Sequence, residues 1–319
     1  MATGRRFRFG VVGEGIRSGE QLAAEARRAE ALGYATLLLR DHFVPEPFGD
    51  QLAPTVALMA AAGVTRTLRL GTMVLDNDYR HPVLLAKEAA TLDLLSGGRF
   101  ELGVGAGWLR DEYERAGMRF DAPGVRVARL EESLQVLKGL LAGSAFTFAG
   151  VHYTVAGLES FPRPVQRPHP PILVGAGSRR MLGIAGREAD IVGILPRALP
   201  NGTISEDLSE RSPETIDRKL DWVRQAAGGR FGELELSMMV SVIVADDHRK
   251  AAAQLAAERG WGTAASERVL EMPSVFVGGV DRIVELMQAR RDRYGFSYYV
   301  VSDEDMEALG PVVDRLAGR

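Results

Sequence analysis

The 319-residue chain contains no cysteine. This excludes disulfide bridges, thiolate zinc sites, iron–sulfur clusters and a cysteine nucleophile. The absence of cysteine suits a reducing compartment, and we expect a cytoplasmic protein. No apolar run approaches the roughly 20 residues that a membrane-spanning helix requires. The N-terminal residues 1–7 include arginines but no apolar signal core follows them, which argues against secretion.

The chain also lacks a strong excess of charge of either sign. It has 39 basic and 42 acidic residues, and its formal net charge is −3. Such a balance gives no general attraction for nucleic acid or for an anionic membrane. We therefore expect a small molecule, rather than nucleic acid or a membrane, as the partner of this protein.

Short apolar runs alternate with longer helical patterns along the chain. The predicted strands cover residues 8–12, 36–40, 69–74, 100–105, 172–175, 191–195, 236–245 and 298–302. The predicted helices cover residues 18–32, 53–62, 82–96, 125–142, 178–187, 248–260, 266–271, 280–294 and 306–316. Eight strands with intervening helices predict an α/β fold, a (β/α)8 TIM barrel. A doubly wound open sheet is the alternative.

Two stretches depart from this alternation. Residues 108–171 contain a polar stretch, a helix and a predicted hairpin at residues 146–155, and we interpret them as an insertion after strand 4. Residues 197–213 predict a long polar loop, which in compact domains is commonly a functional lid or disordered. Because no linker, repeat or low-complexity tract divides the chain, we expect a single domain over residues 1–319.

Polar residues that directly follow predicted strands are candidates for chemistry, because barrel active sites lie at the carboxyl ends of strands. His42 follows the second strand, where it could donate or accept a proton near neutral pH. A structural histidine bonded to a neighbouring group is the alternative. Asp76 and Asp78 follow the third strand, but without a nearby histidine pair the spacing favours ordinary turn chemistry over a metal site.

Two glycine-rich turns follow the fourth and fifth strands. They are Gly103-Val104-Gly105-Ala106-Gly107-Trp108 and Gly175-Ala176-Gly177-Ser178-Arg179-Arg180. The first lets the backbone approach a ligand closely, with Trp108 available to pack on a planar ring. The second opens a helix, and its free N–H groups, serine and arginines could bind a phosphate.

Several common motifs are missing. Neither glycine-rich turn matches the dinucleotide pattern G-x-G-x-x-G, because Trp108 and Arg180 occupy the position of its last glycine. Walker A, H-E-x-x-H and G-x-S-x-G are absent as well. The five histidines are scattered along the sequence, which disfavours a metal-dependent hydrolase.

Four segments carry a resemblance to a known family. They are RLGTMV at residues 69–74, RHP at 80–82, LAKEAATLD at 85–93 and SGGRFELGVGAGW at 96–108. These segments resemble the bacterial luciferase-like superfamily, and the likeness extends over nearly the whole chain. Together with residues 41–43, the overall pattern is most similar to actinobacterial oxidoreductases that use the deazaflavin coenzyme F420.

The resemblance implies a flavin-type ring at the carboxyl ends of the strands and a non-prolyl cis peptide between Met73 and Val74. It implies that His42 contacts the ring and serves as a proton donor or acceptor. It also revises the interpretation of Asp76, which would face the cofactor. The positions that it implies for cofactor binding are His42, Met73, Val74, Asp76, Ala106, Gly107, Trp108, Asp111, Gly175, Ala176, Gly177 and Ser178.

The sequence departs from the family at one informative position. Trp108 stands where the family's sugar-phosphate dehydrogenases carry a glutamate, which argues against oxidation of glucose 6-phosphate. With only four lysines in the chain, a lysine-built sugar-phosphate site is also disfavoured, although arginine could replace lysine. Trp108 instead favours an apolar or aromatic substrate.

The resemblance thus predicts hydride transfer between coenzyme F420 and a small organic substrate in a homodimeric enzyme. Two alternatives share the same motifs. One is an FMN-dependent, two-component monooxygenase, which would need a flavin reductase as partner. The other is a protein that binds the cofactor without turnover.

Overall fold

The computed structural model describes residues 5–319, apart from the side chain of Thr263. The prediction that the chain lacks a secretion signal rests partly on residues 1–4, which lie outside the described range. The strands are β1 (Arg8–Gly13), β2 (Thr36–Leu39), β3 (Arg69–Thr72), β4 (Leu75–Asp76), β5 (Phe100–Gly105), β6 (Phe146–Ala149), β7 (Thr154–Leu158), β8 (Ile172–Ala176), β9 (Ile191–Ile194), β10 (Glu235–Met239), β11 (Ser241–Val244), β12 (Val275–Gly278) and β13 (Phe296–Ser302).

The α-helices complete the succession of elements. They are α1 (Gly19–Ala31), α2 (Pro54–Val64), α3 (Pro82–Leu95), α4 (Arg110–Arg115), α5 (Pro123–Leu141), α6 (Arg179–Glu188), α7 (Pro213–Ala227), α8 (His248–Glu258), α9 (Ser266–Glu271), α10 (Val280–Tyr294) and α11 (Met306–Leu316). Several begin at caps that the sequence encodes: the Ser18 hydroxyl, for example, accepts the N–H of Gln21 at 3.1 Å. Within residues 5–319, no helix is both long and apolar enough to span a bilayer.

The main sheet closes into a parallel barrel. Its strand order is β3-β2-β1-β13-β10-β9-β8-β5-β4, and a further pairing of β3 with β5 closes the ring. The short strands β3 and β4 share one position, so the barrel has eight positions. The predicted TIM barrel is therefore confirmed, and the open sheet is wrong.

Apolar side chains fill the barrel interior. This interior cluster consists of Val12, Leu38, Met73, Leu173, Ile191, Tyr298 and Val300, with the partly buried Val74 packed against it. At the amino ends of the strands, the buried Glu101 accepts hydrogen bonds from Arg8 and Arg69. Burial opposes ionisation of Glu101, but the two guanidinium groups outweigh it and hold its pKa below the usual value. The amino end of the barrel is thus closed by an ion cluster, and the carboxyl end remains for ligands.

The structure differs from the sequence prediction between residues 213 and 278. The predicted strand at 236–245 is two strands: β10 stays in the barrel, whereas β11 leaves it and pairs with β12. The prediction assigns no element to 214–235, where the structure has α7, and none to β12. The departing strands and the helices beside them enclose a separate small core, with Ala252, Ala256, Val269 and Val277 buried.

The predicted insertion after strand 4 is present. It contains α4, α5 and the antiparallel hairpin β6–β7. The loop between β9 and α7 is held at both ends by the buried Lys219 of α7. Its ammonium group donates to the Leu195 carbonyl at 2.7 Å and to Glu210 at 2.8 Å. Near its tip, the carbonyl of Pro200 accepts a hydrogen bond from Arg110 of α4 at 3.4 Å.

The close approach of β3 and β5 gives a stability test. A Cβ on Gly103 would overlap the backbone carbonyl of Thr72, whose hydroxyl also exchanges hydrogen bonds with Gly103 at 2.8 and 2.9 Å. We expect Gly103→Ala to lower the free energy of unfolding by more than about 2 kcal/mol, because backbone and not a flexible side chain must move.

The matched control for this variant is Gly63→Ala in α2, where a Cβ meets nothing within 4 Å. It should raise the free energy of unfolding by roughly 0.5–1 kcal/mol through helix propensity. Urea unfolding followed by circular dichroism measures both. A Gly103→Ala protein as stable as the wild type would contradict the packing described.

Candidate active site

Most of the residues that the resemblance implies for cofactor binding lie at the carboxyl end of the barrel. His42 follows β2, Met73 and Val74 separate β3 from β4, and Asp76 ends β4. Ala106, Gly107 and Trp108 follow β5, and Gly175 to Ser178 connect β8 to α6. The peptide bond between Met73 and Val74 is cis, as the resemblance implies.

His42 is held by a glutamate that the sequence analysis does not identify. Its Nδ1 lies 2.9 Å from Oε2 of Glu112, on α4 of the insertion, and the two side chains are 11% and 2% exposed. Burial alone would raise the pKa of Glu112. The hydrogen bond from His42, the positive charge of its imidazole when protonated, and the backbone N–H of Phe43 outweigh burial and lower this pKa below its usual value. Glu112 is therefore an ionised partner of His42.

Two aromatic rings flank His42. The Phe48 ring lies 5.1 Å from the imidazole, and the Trp108 ring meets it edge-on at 6.1 Å. On the far side of this group, the Arg40 guanidinium lies over the Phe48 ring at 3.9 Å and pairs with Glu14. The surroundings of His42 are thus aromatic, with the nearby cation and carboxylate already paired to each other.

Asp76 belongs to a buried acidic cluster. Its Oδ2 accepts the hydroxyl of Tyr113 at 2.7 Å, and the same hydroxyl lies 3.3 Å from Asp78. Arg129 pairs with Asp78 at 2.8 Å. Burial raises the pKa of Asp76 to about 7, although hydrogen bonds from the Asp78 N–H and Tyr113 oppose the shift. The Asp76 carboxyl can therefore hold a proton near neutral pH.

The turn after β5 is packed directly on this cluster. Gly107 has φ of +70°, and a Cβ there would overlap the Tyr113 hydroxyl and the Asp76 carboxylate, so only glycine fits. The buried Arg126 of α5 donates to the carbonyls of Ala106 at 3.2 Å and Gly107 at 3.4 Å. These contacts hold the backbone of the turn in one conformation beside Asp76.

Val74 forms an apolar floor at the mouth of the barrel. A Cβ on Gly105 would lie 2.7 Å from its side chain and one on Gly175 would lie 3.6 Å from it. Val74 also packs on the interior cluster. Because Gly105 and Gly175 at the neighbouring strand ends have no side chains, the isopropyl group of Val74 covers the top of the barrel core.

The connection from β8 into α6 offers donors for an anion. Ser178 caps the ten-residue helix, accepting the N–H of Met181 at 3.4 Å. The first N–H groups of a helix have no partner within it. Arg179 and Arg180 are both exposed on the first turn. A phosphate or carboxylate is the chemical group that such an end fits.

Asp111, which the resemblance implies for cofactor binding, points away from the other residues at the barrel mouth. Its carboxylate is 62% exposed and lies 3.3 Å from Arg115 on the same helix. The next residue, Glu112, faces His42 instead. Sequence spacing alone does not distinguish these two adjacent acids on α4. In the structure, Glu112 and the neighbouring Tyr113 form the buried side of this helix.

Other site residues also have partners that the sequence does not predict. Phe48, Tyr79, Tyr113 and Arg126 come from turns or from the insertion, and no pattern in the chain connects them with the strand ends. Within residues 5–319, no group of three or more histidine, aspartate or glutamate side chains is arranged to hold a metal ion.

The comparison with protein families decides the affiliation of the chain. The model of the family described as "Luciferase-like monooxygenase" matches residues 7–309. The chain belongs to this family. The resemblance to luciferase-like proteins is therefore confirmed over nearly the whole chain.

Two relatives of the chain have different activities. The FMNH2-dependent dimethylsulfone monooxygenase of Pseudomonas putida is 29% identical over 232 residues, which are 72% of this chain and 60% of that protein. The F420-dependent glucose-6-phosphate dehydrogenase of Microbacterium testaceum is 29% identical over 293 residues, 90% of this chain and 82% of that enzyme. The match thus spans less than two thirds of the Pseudomonas relative.

Solved structures agree in fold. Monooxygenase RslO1 from Streptomyces bottropensis superposes with a TM-score of 0.73 at 24% identity, covering 97% of both chains. The F420-dependent tetrahydromethanopterin reductase of Methanopyrus kandleri gives a TM-score of 0.75 at 19% identity, covering 98% of this chain and all of that one. These similarities concern the barrel and not the substrate.

The raised pKa of Asp76 predicts a specific pH dependence of stability. In the unfolded chain an aspartate ionises near pH 4, whereas folded Asp76 stays protonated to about pH 7. The contribution of protonated Asp76 to the free energy of unfolding is therefore full below about pH 4, and it is lost as the pH rises to 7. We expect the free energy of unfolding of Asp76→Asn, relative to wild type, to rise by roughly 3 kcal/mol over this interval.

A variant with the opposite sign serves as control. Burial opposes ionisation of Glu30, but the N–H groups of Thr67, Leu68 and Arg66 outweigh it and lower its pKa to about 2. The stability that Glu30 contributes is present above pH 4.5 and is lost towards pH 2. Urea unfolding at several pH values should thus show Glu30→Gln losing its difference from wild type on acidification. Parallel curves for Asp76→Asn and wild type between pH 4 and 7 would refute the proton on Asp76.

Proposed function

We propose that this protein is an oxidoreductase that binds coenzyme F420 at the carboxyl end of the barrel and transfers a hydride between it and a small organic substrate. The observation that carries the proposal is His42, which is held at the barrel mouth by the ionised Glu112 and flanked by Phe48 and Trp108. A histidine fixed in this way is suited to donate or accept the proton that accompanies hydride transfer.

The residues at the barrel mouth fit a flat ring with an anionic tail. Val74 provides an apolar floor, and glycines at the ends of β5 and β8 keep the surface beside it free of other side chains. The backbone of Ala106 and Gly107 is held in place by Arg126. The N-terminus of α6, with Arg179, offers donors to a phosphate. When bound, the deazaflavin would supply two-electron hydride chemistry.

The chain itself supplies proton handling and orientation. His42 can exchange a proton with the substrate, while Asp76 holds one within the buried cluster beside Gly107. The loop between β9 and α7, anchored by Lys219 and bonded to Arg110, follows β9 at the same end of the barrel, where it would limit the access of water to a bound substrate. In this proposal the substrate would lie between His42 and the cofactor ring held above Val74.

The substrate we propose is apolar or aromatic where it meets the protein. Phe48 and Trp108 present rings beside His42, and rings prefer to pack on flat or apolar groups. Arg40, the nearby cation, is committed to Glu14 and to the face of Phe48. Lys219 is committed to Leu195 and Glu210, so neither cation is free to bind a sugar phosphate.

The similarity to the F420-dependent dehydrogenase, which extends over 90% of the chain, supports the choice of F420. The second candidate is an FMN-dependent monooxygenase with a separate flavin reductase. It is favoured by the similarity to the FMNH2-dependent dimethylsulfone monooxygenase over 72% of the chain. The two candidates differ in the cofactor bound, and a binding measurement separates them.

Calorimetric titration of the purified protein with coenzyme F420 and, separately, with FMN tests the proposal. We expect micromolar binding of F420 and binding of FMN at least tenfold weaker. The reverse preference would replace the proposed reaction by oxygen chemistry with reduced FMN, and absence of binding to either would refute both candidates.

Replacement of His42 tests its role in the chemistry. We expect His42→Ala to lower kcat by about 10²–10⁴-fold, because proton transfer loses its group, while the affinity for the cofactor changes by less than about threefold. His248→Ala, at the start of α8, is the matched control and should behave as wild type. If kcat is unchanged and only cofactor affinity falls, His42 is a binding residue and not an acid–base group.

A further inference from the structure

The carboxylate of Glu112 is fully occupied as a hydrogen-bond acceptor. Its Oε2 lies 2.9 Å from His42 Nδ1 and accepts the Tyr79 hydroxyl at 3.0 Å. Its Oε1 accepts the backbone N–H groups of Phe43 and, at 3.4 Å, of Val44. A carboxylate offers about four lone-pair directions. Two backbone N–H groups and one hydroxyl take three of them as donors, and the fourth faces His42 Nδ1.

Because Glu112 is ionised and three of its four partners are donors, its fourth partner must also donate. The two backbone N–H groups have no other option. Burial, together with the charges of Asp76 and Glu112, raises the pKa of Tyr79, so its hydroxyl keeps its hydrogen. By the same logic His42 Nδ1 must carry a hydrogen to meet an ionised oxygen at 2.9 Å.

Other acids near the barrel mouth do not compete for His42. Asp41 accepts two hydrogen bonds from Arg80, at 2.6 and 3.2 Å, and one from the backbone N–H of Asp76 at 3.0 Å. Among the residues that the structure describes, none forms a hydrogen bond with His42 Nε2. The other neighbours of the imidazole ring are the aromatic rings of Phe48 and Trp108. The imidazole is thus anchored at one nitrogen only.

We propose that Glu112 is a positioning residue that holds neutral His42 in the tautomer with hydrogen on Nδ1, so that the lone pair of Nε2 is the group presented to the substrate. The tautomer is inferred from the hydrogen-bond geometry alone. Its role in catalysis rests on the proposed function. A free imidazole prefers the opposite tautomer only weakly, and one charge-assisted bond in a buried site is enough to reverse that preference.

This arrangement defines the atoms of the proton transfer. In the direction that oxidises a substrate H–C–O–H or H–C–N–H group, the O–H or N–H proton moves to Nε2, and the hydride on the attached carbon would pass to the cofactor of the proposed function. His42 then becomes an imidazolium stabilised by the adjacent Glu112 carboxylate. In the reverse direction the same Nε2–H donates the proton back. Glu112 does not contact the substrate or the transferred proton in this scheme, and it acts only through His42. Its hydrogen bonds to the N–H groups of Phe43 and Val44 also hold the backbone next to His42.

The tautomer can be measured directly on the protein without cofactor. Histidine labelled with nitrogen-15 in both ring positions gives distinct chemical shifts for N–H and lone-pair nitrogens, and His42→Gln identifies the His42 signals among five histidines. At alkaline pH we expect a protonated Nδ1 and an unprotonated Nε2 for His42. A hydrogen on Nε2, or rapid averaging of the two nitrogens, would overturn the proposal.

Glu112→Gln tests the consequence for catalysis. The amide keeps the shape but offers one oxygen where two are needed, and its NH2 group would face His42 Nδ1. We expect a shift to the Nε2–H tautomer and a fall in kcat of about 10²–10⁴-fold with KM changed less than about threefold. Unchanged kcat, or a change in KM alone, would contradict the positioning role.

Two further variants isolate the carboxylate as the cause. Glu114→Gln, two residues further on the same helix and 61% exposed, should leave both tautomer and kcat at wild-type values. Tyr79→Phe removes one donor but keeps the carboxylate, so the Nδ1–H tautomer should persist with kcat within about fivefold. If Glu112→Gln does not fold, the tautomers of wild type and Tyr79→Phe decide. A confirmed tautomer in a protein without hydride transfer would refute the proposed function and leave the positioning by Glu112 intact.

Discussion

The buried carboxylate of Glu112 is the interaction on which the geometry of the barrel mouth depends. An ionised group that is 2% exposed is stable only when its lone pairs are satisfied, because an unpaired buried charge costs several kcal/mol. Its donors come from the turn after β2 and from the short turn after β4, while Glu112 itself belongs to the insertion. Each of these segments is therefore held in the position that the others require.

The alternation of strands and helices was predictable because it arises from local signals. Strands such as β5 are continuous apolar runs, and helices such as α3 begin at a proline and end before glycines. The prediction fails where a local run does not coincide with one element. Residues 236–245 form one apolar run, yet the chain turns away from the barrel at Val240 because β11 pairs with β12. The helix α7 does carry a signal, with Ser212 as cap, Pro213 at its first turn and apolar residues four and three apart.

The positions of site residues were predictable in so far as they follow strands. His42, Asp76 and the glycine turns are found by knowing where barrel strands end. What these residues contact was not predictable, since Glu112 is 70 positions from His42 and reaches it only through the packing of the insertion. The same holds for Asp76, whose raised pKa results from burial against Tyr113 and Gly107, a tertiary property without a sequence pattern.

The departure of β11 from the barrel separates two packing units. The two strands β11 and β12 have different cores on their two faces. Val275 and Val277 belong to the small core that α8 and α9 complete, whereas Val242 and Phe276 belong to the main core. Substitutions in regions without shared contacts have additive effects on stability. Changes on the solvent side of α8 and α9 meet that condition, whereas changes at Val242 or Phe276 act on the main core as well. A new surface is therefore better grafted on the outer helices α8 and α9 than on β11 and β12, which connect the two cores.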